Sequence, residues 1–298
     1  MQETSFMLKW LSGFFDAEGC VRVNKSVNGN CTAYSPRLCV VNTDFYVIEY
    51  VVSFLSSLGI NCYVQERKVT GNRKPIKVIE INRITKVFDL CMLLLNHSIT
   101  KSKELGILLH FCYSRINKFE GNVRSKKEPY SLEEIKFYKD LIEYKAHKKG
   151  KRCLSYEPLD LELVYPIEVE WLAGFLDGDG LLNINLVGTP SLSFGTTHPA
   201  TFNSIKNFFD MKNIFYYKSS VLPAKNHLES CKLRCSSLFV NTPVDIIKVL
   251  DFIEPFLFSK KNQAKILRRF CNTRKNNKYQ RLSADEKLLI QEITKLNK

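Results

Sequence analysis

The sequence lacks the features of a membrane protein or of a thiolate metal site. No apolar run in its 298 residues approaches the length that crosses a bilayer. Ten cysteines are present, but none forms a Cys-X-X-Cys pair, and Cys231 and Cys235 have no neighbouring ligand pair at zinc-site spacing. We interpret the cysteines as reduced, mostly packed thiols in a non-oxidising compartment, and we expect no membrane partner.

Acidic residues are few relative to basic ones. Lysine and arginine number 44 against 30 aspartates and glutamates, which gives a formal net charge of +14. The excess is spread along the chain rather than confined to a tail, a distribution that favours nucleic acid as the partner. Charge alone leaves open the alternative of a merely soluble basic protein.

One nine-residue stretch occurs twice. Residues 172–180 read Leu-Ala-Gly-Phe-Leu-Asp-Gly-Asp-Gly, and residues 11–19 read Leu-Ser-Gly-Phe-Phe-Asp-Ala-Glu-Gly. Each copy follows a tryptophan, Trp10 or Trp171, and each runs into a segment of alternating apolar and polar residues. The chain is therefore built twice, as two similar domains of about 150 residues each.

Each copy predicts a helix that packs closely against another backbone. Apolar residues recur at helical spacing before and within each copy. Ser12-Gly13 and Ala173-Gly174 remove side-chain bulk in mid-helix, where glycine costs about 1 kcal/mol relative to alanine, so we expect the two helices to cross closely. We expect Gly19 and Gly180 to end the helices with a positive φ.

A close crossing would bring Glu18 and Asp179 together at the two helix ends. Two carboxylates side by side repel each other unless a cation lies between them, and a site built only from oxygen atoms suits Mg²⁺. The alternative for a single copy is a solvated acidic residue near a helix end. Two copies at matched positions favour the metal site, since a helix C-terminus is a poor place for a carboxylate.

These two motifs resemble those of the single-chain, two-motif LAGLIDADG homing endonucleases, and the duplication covers nearly the whole chain. The resemblance implies an α+β fold of two tandem αββαββα repeats. Each repeat would be a saddle-shaped antiparallel sheet backed by helices, and pseudo-twofold symmetry through the motif helices would relate them. We predict an N-terminal repeat over 1–144, a linker over 145–166 and a C-terminal repeat over 167–298.

Periodicity places the other elements. Helices are predicted over 43–58, 84–95, 100–114, 201–212, 243–252 and 259–271. Hairpins are predicted from the strand pairs 20–24 with 36–41, 60–69 with 76–81, 181–187 with 192–196, and 215–221 with 231–236. Ser131 with Glu134, and Ser283 with Glu286, form capping boxes that open a terminal helix in each copy.

Side chains that alternate with the core residues of the strands are candidates for DNA contact. Arginine, lysine, asparagine and glutamine pair with base edges, and a β-ribbon fits the major groove. The alternative for any one of them is an ordinary exposed strand residue. The candidates are Arg22, Asn24, Ser26, Arg37, Gln65, Arg67, Lys77, Asn183, Asn185, Lys232 and Arg234.

The resemblance also implies the roles of the site residues. The last acidic residue of each motif, Glu18 and Asp179, would bind divalent metal and activate water for one DNA strand. The carbonyl groups of Ala17 and Gly178 would be possible further ligands, whereas Asp16 and Asp177 would hydrogen-bond locally. The remaining candidates are basic residues near the scissile phosphates, Lys101 and Lys260, and solvent-positioning residues, Asp44 and His198. The alternative for each lysine is plain phosphate contact.

By this resemblance the protein is expected to be a monomeric endonuclease that makes a staggered double-strand cut in a long asymmetric DNA site. The metal would be Mg²⁺ or Mn²⁺, with Ca²⁺ supporting binding without cleavage. Such an enzyme spreads its intron in an organelle genome, here expected to be mitochondrial, with the chloroplast as alternative. Two rivals stay open: a maturase that binds intron RNA, and a non-cleaving DNA-binding relative of the same fold.

Overall fold

The computed structural model describes residues 2–29, 31–68, 74–118, 129–148, 163–221, 235–275 and 281–297. The chain forms two compact units, Met1–Glu157 and Pro158–Lys298. This boundary falls inside the segment predicted as the linker. The first residues of that segment, however, are the end of a helix, Leu132–Lys148, and residues 149–162 lie outside the described part. Each unit is described by itself.

The first unit is a four-stranded antiparallel sheet with five helices in its described residues. In chain order the elements are α1 (Gln2–Glu18), β1 (Gly19–Asn28), β2 (Cys31–Asn42), α2 (Phe45–Ser57), β3 (Tyr63–Arg67), β4 (Ile76–Ile81), α3 (Ile84–Leu95), α4 (Ser102–Asn117) and α5 (Leu132–Lys148). The strands stand in the order β1-β2-β4-β3 in the sheet.

The second unit repeats this succession of elements. They are α6 (Val169–Asp179), β5 (Gly180–Ile184), β6 (Pro190–Thr196), α7 (Pro199–Met211), β7 (Tyr217–Val221), β8 (Cys235–Val240), α8 (Pro243–Ile253), a 3₁₀ helix (Glu254–Phe256), α9 (Lys261–Arg274) and α10 (Ala284–Leu296). The strands stand in the matching order β5-β6-β8-β7. The α+β class and the tandem αββαββα repeats are confirmed. None of the helices in the ranges described above is long and apolar enough to cross a membrane.

The core of each unit lies between one face of its sheet and the helices. Val21, Leu38 and Ile79 are fully buried on this inner face of the first sheet, where period-two alternation predicts apolar residues. Each motif helix adds a tryptophan stacked on the phenylalanine one turn later, Trp10 on Phe14 and Trp171 on Phe175. The same aromatic pair therefore anchors the motif helix in both units.

Both predicted capping boxes are present. The Glu134 carboxylate accepts a hydrogen bond from the Ser131 backbone N–H at 2.6 Å, and the Glu134 N–H donates to the Ser131 hydroxyl. Ser283 and Glu286 make the same reciprocal pair at the start of α10. Each box satisfies two backbone donors that the first turn of a helix would otherwise leave without partners.

The last predicted strand ends four residues too early. The alternation of residues 231–236 predicted a strand there, but strand β8 spans Cys235–Val240, and residues 231–234 lie outside the described part. Leu238 and Val240 point into the core from this strand. The prediction missed them because Ser236 and Ser237 interrupt the apolar pattern just before the buried residues begin.

The glycines that follow the motif helices do not have a positive φ, contrary to expectation. Gly180 has φ −81° and ψ 161°, an ordinary extended conformation, and Gly19 is not in the left-handed region either. What both positions lack is space. A Cβ on Gly180 would lie 2.8 Å from the Cα of Leu176, and one on Gly19 would collide with the carbonyl oxygen of Phe15. Glycine is required because the strand turns back against the last helical turn.

Gly180→Ala should therefore lower the free energy of unfolding by about 2 kcal/mol, since backbone atoms cannot yield to the added methyl group. Gly106→Ala is the matched control. Gly106 lies within α4 with no atom near its missing Cβ, so alanine there should stabilise the protein by about 0.5–1 kcal/mol. Urea unfolding followed by circular dichroism measures both changes. Equal effects of the two substitutions would contradict the steric explanation.

Candidate active site at the ends of the motif helices

Each motif helix ends at the acidic residue that the sequence singled out. Helix α1 ends at Glu18 and α6 ends at Asp179, and a strand begins at the next residue. The last carbonyl groups of a helix lack intrahelical donors and form the negative end of its dipole. Glu18 is half-buried and accepts a hydrogen bond from the Asn42 side-chain amide at 3.2 Å, whereas Asp179 is exposed. The two helix ends thus present oxygen atoms together with a carboxylate.

The first aspartate of each motif is buried and ties the helix to a loop far along the chain. Asp177 accepts hydrogen bonds from the backbone N–H groups of Phe258 and Lys260, both at 2.8 Å. Asp16 accepts from the N–H groups of Ile99 at 2.6 Å and Lys101 at 3.0 Å. The prediction of local hydrogen bonds was wrong, because these donors belong to the loops that precede α9 and α4.

Asp16 receives a third bond, from the Ser98 hydroxyl. Burial raises the pKa of Asp16, and the hydrogen bonds from Ser98, Ile99 and Lys101 offset that rise only in part. The loop donors therefore offset part of the cost of placing a carboxyl group in the core.

The two predicted lysines bind the carbonyl ends of the motif helices. The Lys260 ammonium group donates to three backbone oxygens, those of Leu176 at 2.8 Å, Asp177 at 2.7 Å and Gly178 at 2.9 Å. The Lys101 ammonium group donates to the Asp16 carbonyl oxygen at 2.8 Å. Each lysine is the N-cap residue of the helix after the loop, α9 or α4. A cation thus already occupies the negative end of each motif helix.

The donor atoms at these helix ends fit a hard divalent cation. Glu18 and Asp179 supply carboxylate oxygens, and the neighbouring carbonyl groups of Ala17 and Gly178 supply neutral oxygens of the kind that Mg²⁺ and Ca²⁺ take. The Gly178 oxygen is hydrogen-bonded to Lys260 but has a second lone pair, so its role as a ligand stays a prediction. Within the described ranges, no three His, Cys, Asp or Glu side chains group as a metal site.

Asp44 and His198 are helix N-caps in equivalent positions. The Asp44 carboxylate accepts from the N–H groups of Tyr46 at 3.0 Å and Val47 at 3.4 Å, at the start of α2. His198 Nδ1 accepts from the N–H of Thr201 at 3.4 Å, at the start of α7. Capping accounts for a polar residue at both positions, and the solvent-positioning role stays a prediction.

Asn42 is a site residue that sequence reasoning missed. Its amide donates to Glu18, and its side-chain oxygen accepts from the Asp44 N–H at 2.7 Å, so it connects the acidic helix end to the first turn of α2. Thr196 takes the equivalent place in the second unit and accepts from the His198 N–H at 3.1 Å. The available signal was a polar residue two positions before each cap.

Most candidate DNA-contacting residues of the first unit share the outer face of the sheet, opposite the core. Arg22 stands directly across from Arg37, and Asn24 across from Ser35. The register of β3 with β4 places Gln65 and Arg67 on this same outer face. Ser26 follows on β1 and is exposed. One surface thus presents the polar and basic side chains of three strands.

The predicted orientation of Lys77 is wrong. Lys77 pairs with Asn42 and Glu66, which puts it on the inner face. Its ammonium group donates to Glu49 of α2 at 2.8 Å and lies 4.4 Å from the centre of the Phe45 ring. Lys77 therefore holds α2 against the sheet.

In the second unit, Asn183 lies on the outer face across from Ser191. Asn185 was predicted to continue this strand, but β5 ends at Ile184. The Asn185 side-chain oxygen accepts from the N–H groups of Val187 and Thr189 and so holds the turn to β6. Lys232 and Arg234 lie outside the described residues.

Comparison with known proteins agrees with this geometry. The family model of the LAGLIDADG-like domain matches residues 5–88, which include the first motif and its sheet. A search of curated protein sequences finds no match. Three solved structures have the same fold over nearly the full chain. They are the LAGLIDADG homing endonucleases I-GzeII in complex with its DNA target, I-LtrWI bound to target DNA, and I-SmaMI bound to cleaved DNA.

The likeness is extensive in structure and low in sequence. I-GzeII is 12% identical with a TM-score of 0.65, and the match covers 97% of this chain and 96% of that one. I-LtrWI is 14% identical with a TM-score of 0.67, and the match covers 97% of each chain. I-SmaMI is 14% identical with a TM-score of 0.65, and the match covers 97% of this chain and 95% of that one. The fold is that of the LAGLIDADG homing endonucleases. The resemblance to this family that the two motifs indicated is confirmed.

Proposed function

We propose that the protein is a divalent-metal-dependent endonuclease that cuts both strands of a specific DNA site. The observation that carries this proposal is the repeated arrangement at the motif helix ends. In each unit a carboxylate ends the motif helix, and a buried aspartate fixes the distant loop before α4 or α9. That loop delivers a lysine to the same helix end. The arrangement concentrates charged groups of both signs where a phosphodiester and a metal would need them.

Glu18 and Asp179 would hold the metal, with the Ala17 and Gly178 carbonyl groups as additional ligands. A bound divalent metal would lower the pKa of a water molecule and stabilise the departing oxygen. The chain's own part is to fix the carboxylates. Asn42 orients Glu18, Lys260 holds the last turn of α6, and Lys101 holds the last turn of α1. The positive charge of both lysines would also favour an approaching phosphate.

The partner is double-stranded DNA with two dissimilar half-sites. The outer face of the first sheet carries Arg22, Arg37 and Arg67, whereas the matched face of the second sheet carries Asn183 and Ser191 among its described residues. Sheets with different polar side chains read different base sequences. A long asymmetric site cut with a stagger, by a monomer that holds both units in one chain, follows from this proposal.

We extend the proposal to biological role. An enzyme of this kind spreads the intron that encodes it, and we place it in an organelle, the mitochondrion first and the chloroplast second. Mg²⁺ would serve cleavage, with Mn²⁺ as a substitute. The maturase alternative gains no specific support from the described surface and is kept as an outcome of the test.

The test is to incubate the protein with a pool of randomised duplex DNA and Mg²⁺ and to sequence the cut ends. We expect defined ends with short 3′ overhangs, cleavage lost with EDTA, and binding without cleavage in Ca²⁺. The sequenced ends also give the target site, which every later variant needs.

Other outcomes decide against the enzyme. Enrichment of one duplex in Ca²⁺ without cutting in Mg²⁺ or Mn²⁺ would assign a DNA-binding module. No enrichment of any duplex, together with tight binding of intron RNA, would assign the maturase. Cleavage that persists in EDTA would remove the metal from the proposal.

A further inference from the structure

A charged cluster on the outer face of the first sheet is built from Arg22, Arg37 and Glu80. One carboxylate oxygen of Glu80, Oε1, accepts from Arg22 Nη2 at 2.9 Å and from Arg37 Nη1 at 2.6 Å. The two arginines stand directly across from each other on β1 and β2, where like charges destabilise a sheet. Glu80 on β4 thus holds together two guanidinium groups that would otherwise repel each other.

Glu80 is fixed and ionised. The residue is only 8% exposed, and its neighbour across the ladder to β2 is Cys39. Burial raises the pKa of its carboxyl group, but the hydrogen bonds from Arg37 and Arg22 outweigh burial and lower the pKa below its usual value. The cluster therefore keeps two positive charges and one negative charge at neutral pH.

The arginines keep donors for a ligand while they bind Glu80. The Arg22 and Arg37 side chains are 39% and 29% exposed, and one terminal nitrogen of each donates to the Glu80 carboxylate. A guanidinium group has five N–H donors in a planar fork. The Nε atom of each arginine is buried, so the donors left for a ligand are those of the two terminal nitrogens. Paired N–H donors of this kind recognise the O6 and N7 atoms of guanine in the major groove.

The fold does not require the cluster. In the second sheet the three matching register positions are held by Asn183, Ser191 and Phe239. Asn183 pairs with Ser191 as Arg22 pairs with Arg37. Phe239 pairs with Ser193 as Glu80 pairs with Cys39. The same four-stranded sheet therefore forms with neutral residues. A largely buried ion pair often stabilises a fold no more than well-packed apolar residues of similar size would, so stability alone does not account for the cluster.

We propose that Glu80 is a positioning residue for base recognition, holding Arg22 and Arg37 so that each reads a guanine in the half-site that the first sheet contacts. This inference rests on the proposed function. Arginine has many rotamers, and fixing it before DNA arrives reduces the entropy lost on binding. The carboxylate also keeps the pair from acting as unselective phosphate binders, because it neutralises part of their charge.

The experiment measures base preference at every position of the DNA site by binding in Ca²⁺ and by cleavage in Mg²⁺. Arg22→Lys and Arg37→Lys keep the charge but lose the planar fork, so they identify the base pairs that each arginine reads. At those base pairs we expect Glu80→Gln to lower the preference for guanine about tenfold. The maximal cleavage rate on the preferred site should change little.

Glu49→Gln is the matched control. It removes the same charge from the same unit and breaks the ion pair with Lys77, but on the inner face of the sheet. Its base preference should equal that of the wild type. Thermal unfolding is followed for every variant. If Glu80→Gln does not fold, Glu80→Asp takes its place, since it keeps the charge but shortens the reach by one methylene group.

Two outcomes would overturn the inference while leaving the endonuclease intact. The first is a Glu80 variant that keeps full guanine preference where the arginine variants lose it. The second is a change at a base pair that neither arginine variant affects, which would mean that Glu80 contacts a base itself. If the wild type selects and cuts no duplex in either metal, the proposed function fails first and removes the basis for this role.

Discussion

Glu18→Gln or Asp179→Asn, each alone, is expected to abolish double-strand cleavage. Each substitution replaces a carboxylate by an amide of the same shape, so the charge that attracts a divalent metal is lost while the packing is kept. We expect the cleavage rate to fall by about three orders of magnitude. DNA binding in Ca²⁺ should stay largely intact, because the sheet faces are unchanged. Rates are measured on the site found in the pool experiment.

Two exposed carboxylates outside the motif helices provide controls. Glu133→Gln and Asp285→Asn each remove one exposed charge from the first turn of a terminal helix, α5 or α10. Both controls should cut at the wild-type rate. Full cleavage by either Glu18→Gln or Asp179→Asn would refute the metal assignment, whatever the controls show.

The parts of the fold that repeat in the sequence could be predicted from it. Helical spacing placed α1 and α6, and period-two alternation placed Val21 and Val23 in the core, where both are buried. These predictions succeed because each depends on residues close together in the chain whose burial imposes its own period. The duplication also allowed each element predicted in one copy to be checked against the matching segment of the other copy.

The contacts that build the site depend on distant residues and could not be predicted in this way. Asp177 accepts hydrogen bonds from Phe258, 81 residues along the chain, and from Lys260, 83 residues along the chain. An aspartate near a helix end makes local bonds in most sequences, so nothing around Asp177 distinguished the two cases. Lys260 could be identified by comparing the two copies, but its three carbonyl acceptors are defined only by packing.

Lys77 shows the same limit on a smaller scale. The strand Ile76–Ile81 has apolar residues on both sides of Lys77, so alternation gives no inner or outer face. Only the register with β2 assigns Lys77 to the inner face. The glycines after the motif helices are a related case. Glycine is selected both where a side chain would clash and where the backbone needs a positive φ, so the sequence alone does not distinguish the two reasons.

Lys260→Met should cause the second large effect, a loss of both cleavage and stability. Methionine fills similar space but donates no hydrogen bond, so the carbonyl oxygens of Leu176, Asp177 and Gly178 lose a shared donor at the end of α6. The loss of these hydrogen bonds at partly buried carbonyl groups should lower the free energy of unfolding by about 2–3 kcal/mol. Cleavage should fall about 100-fold, because Asp179 follows directly on the turn that Lys260 holds.

Lys261→Met separates this effect from a general loss of positive charge. Lys261 is the next residue, is exposed, and begins α9 without taking part in the three carbonyl bonds. Its replacement removes the same charge, so Lys261→Met should reduce DNA affinity by about the same factor as Lys260→Met. The maximal cleavage rate and the unfolding midpoint of Lys261→Met should stay near the wild-type values. The two variants are compared by binding in Ca²⁺, single-turnover cleavage in Mg²⁺ and thermal unfolding.

The combination of readouts identifies what Lys260 does. A fall in stability with an unchanged maximal rate would make Lys260 only a cap of α6, and the lysine would leave the catalytic proposal. A fall in rate with unchanged stability would mean that the ammonium group acts on the DNA rather than on the helix. The geometry predicts both losses together, because the three acceptors belong to the last two turns of the helix that ends at Asp179. The same lysine then supports the helix end and supplies positive charge beside the carboxylate.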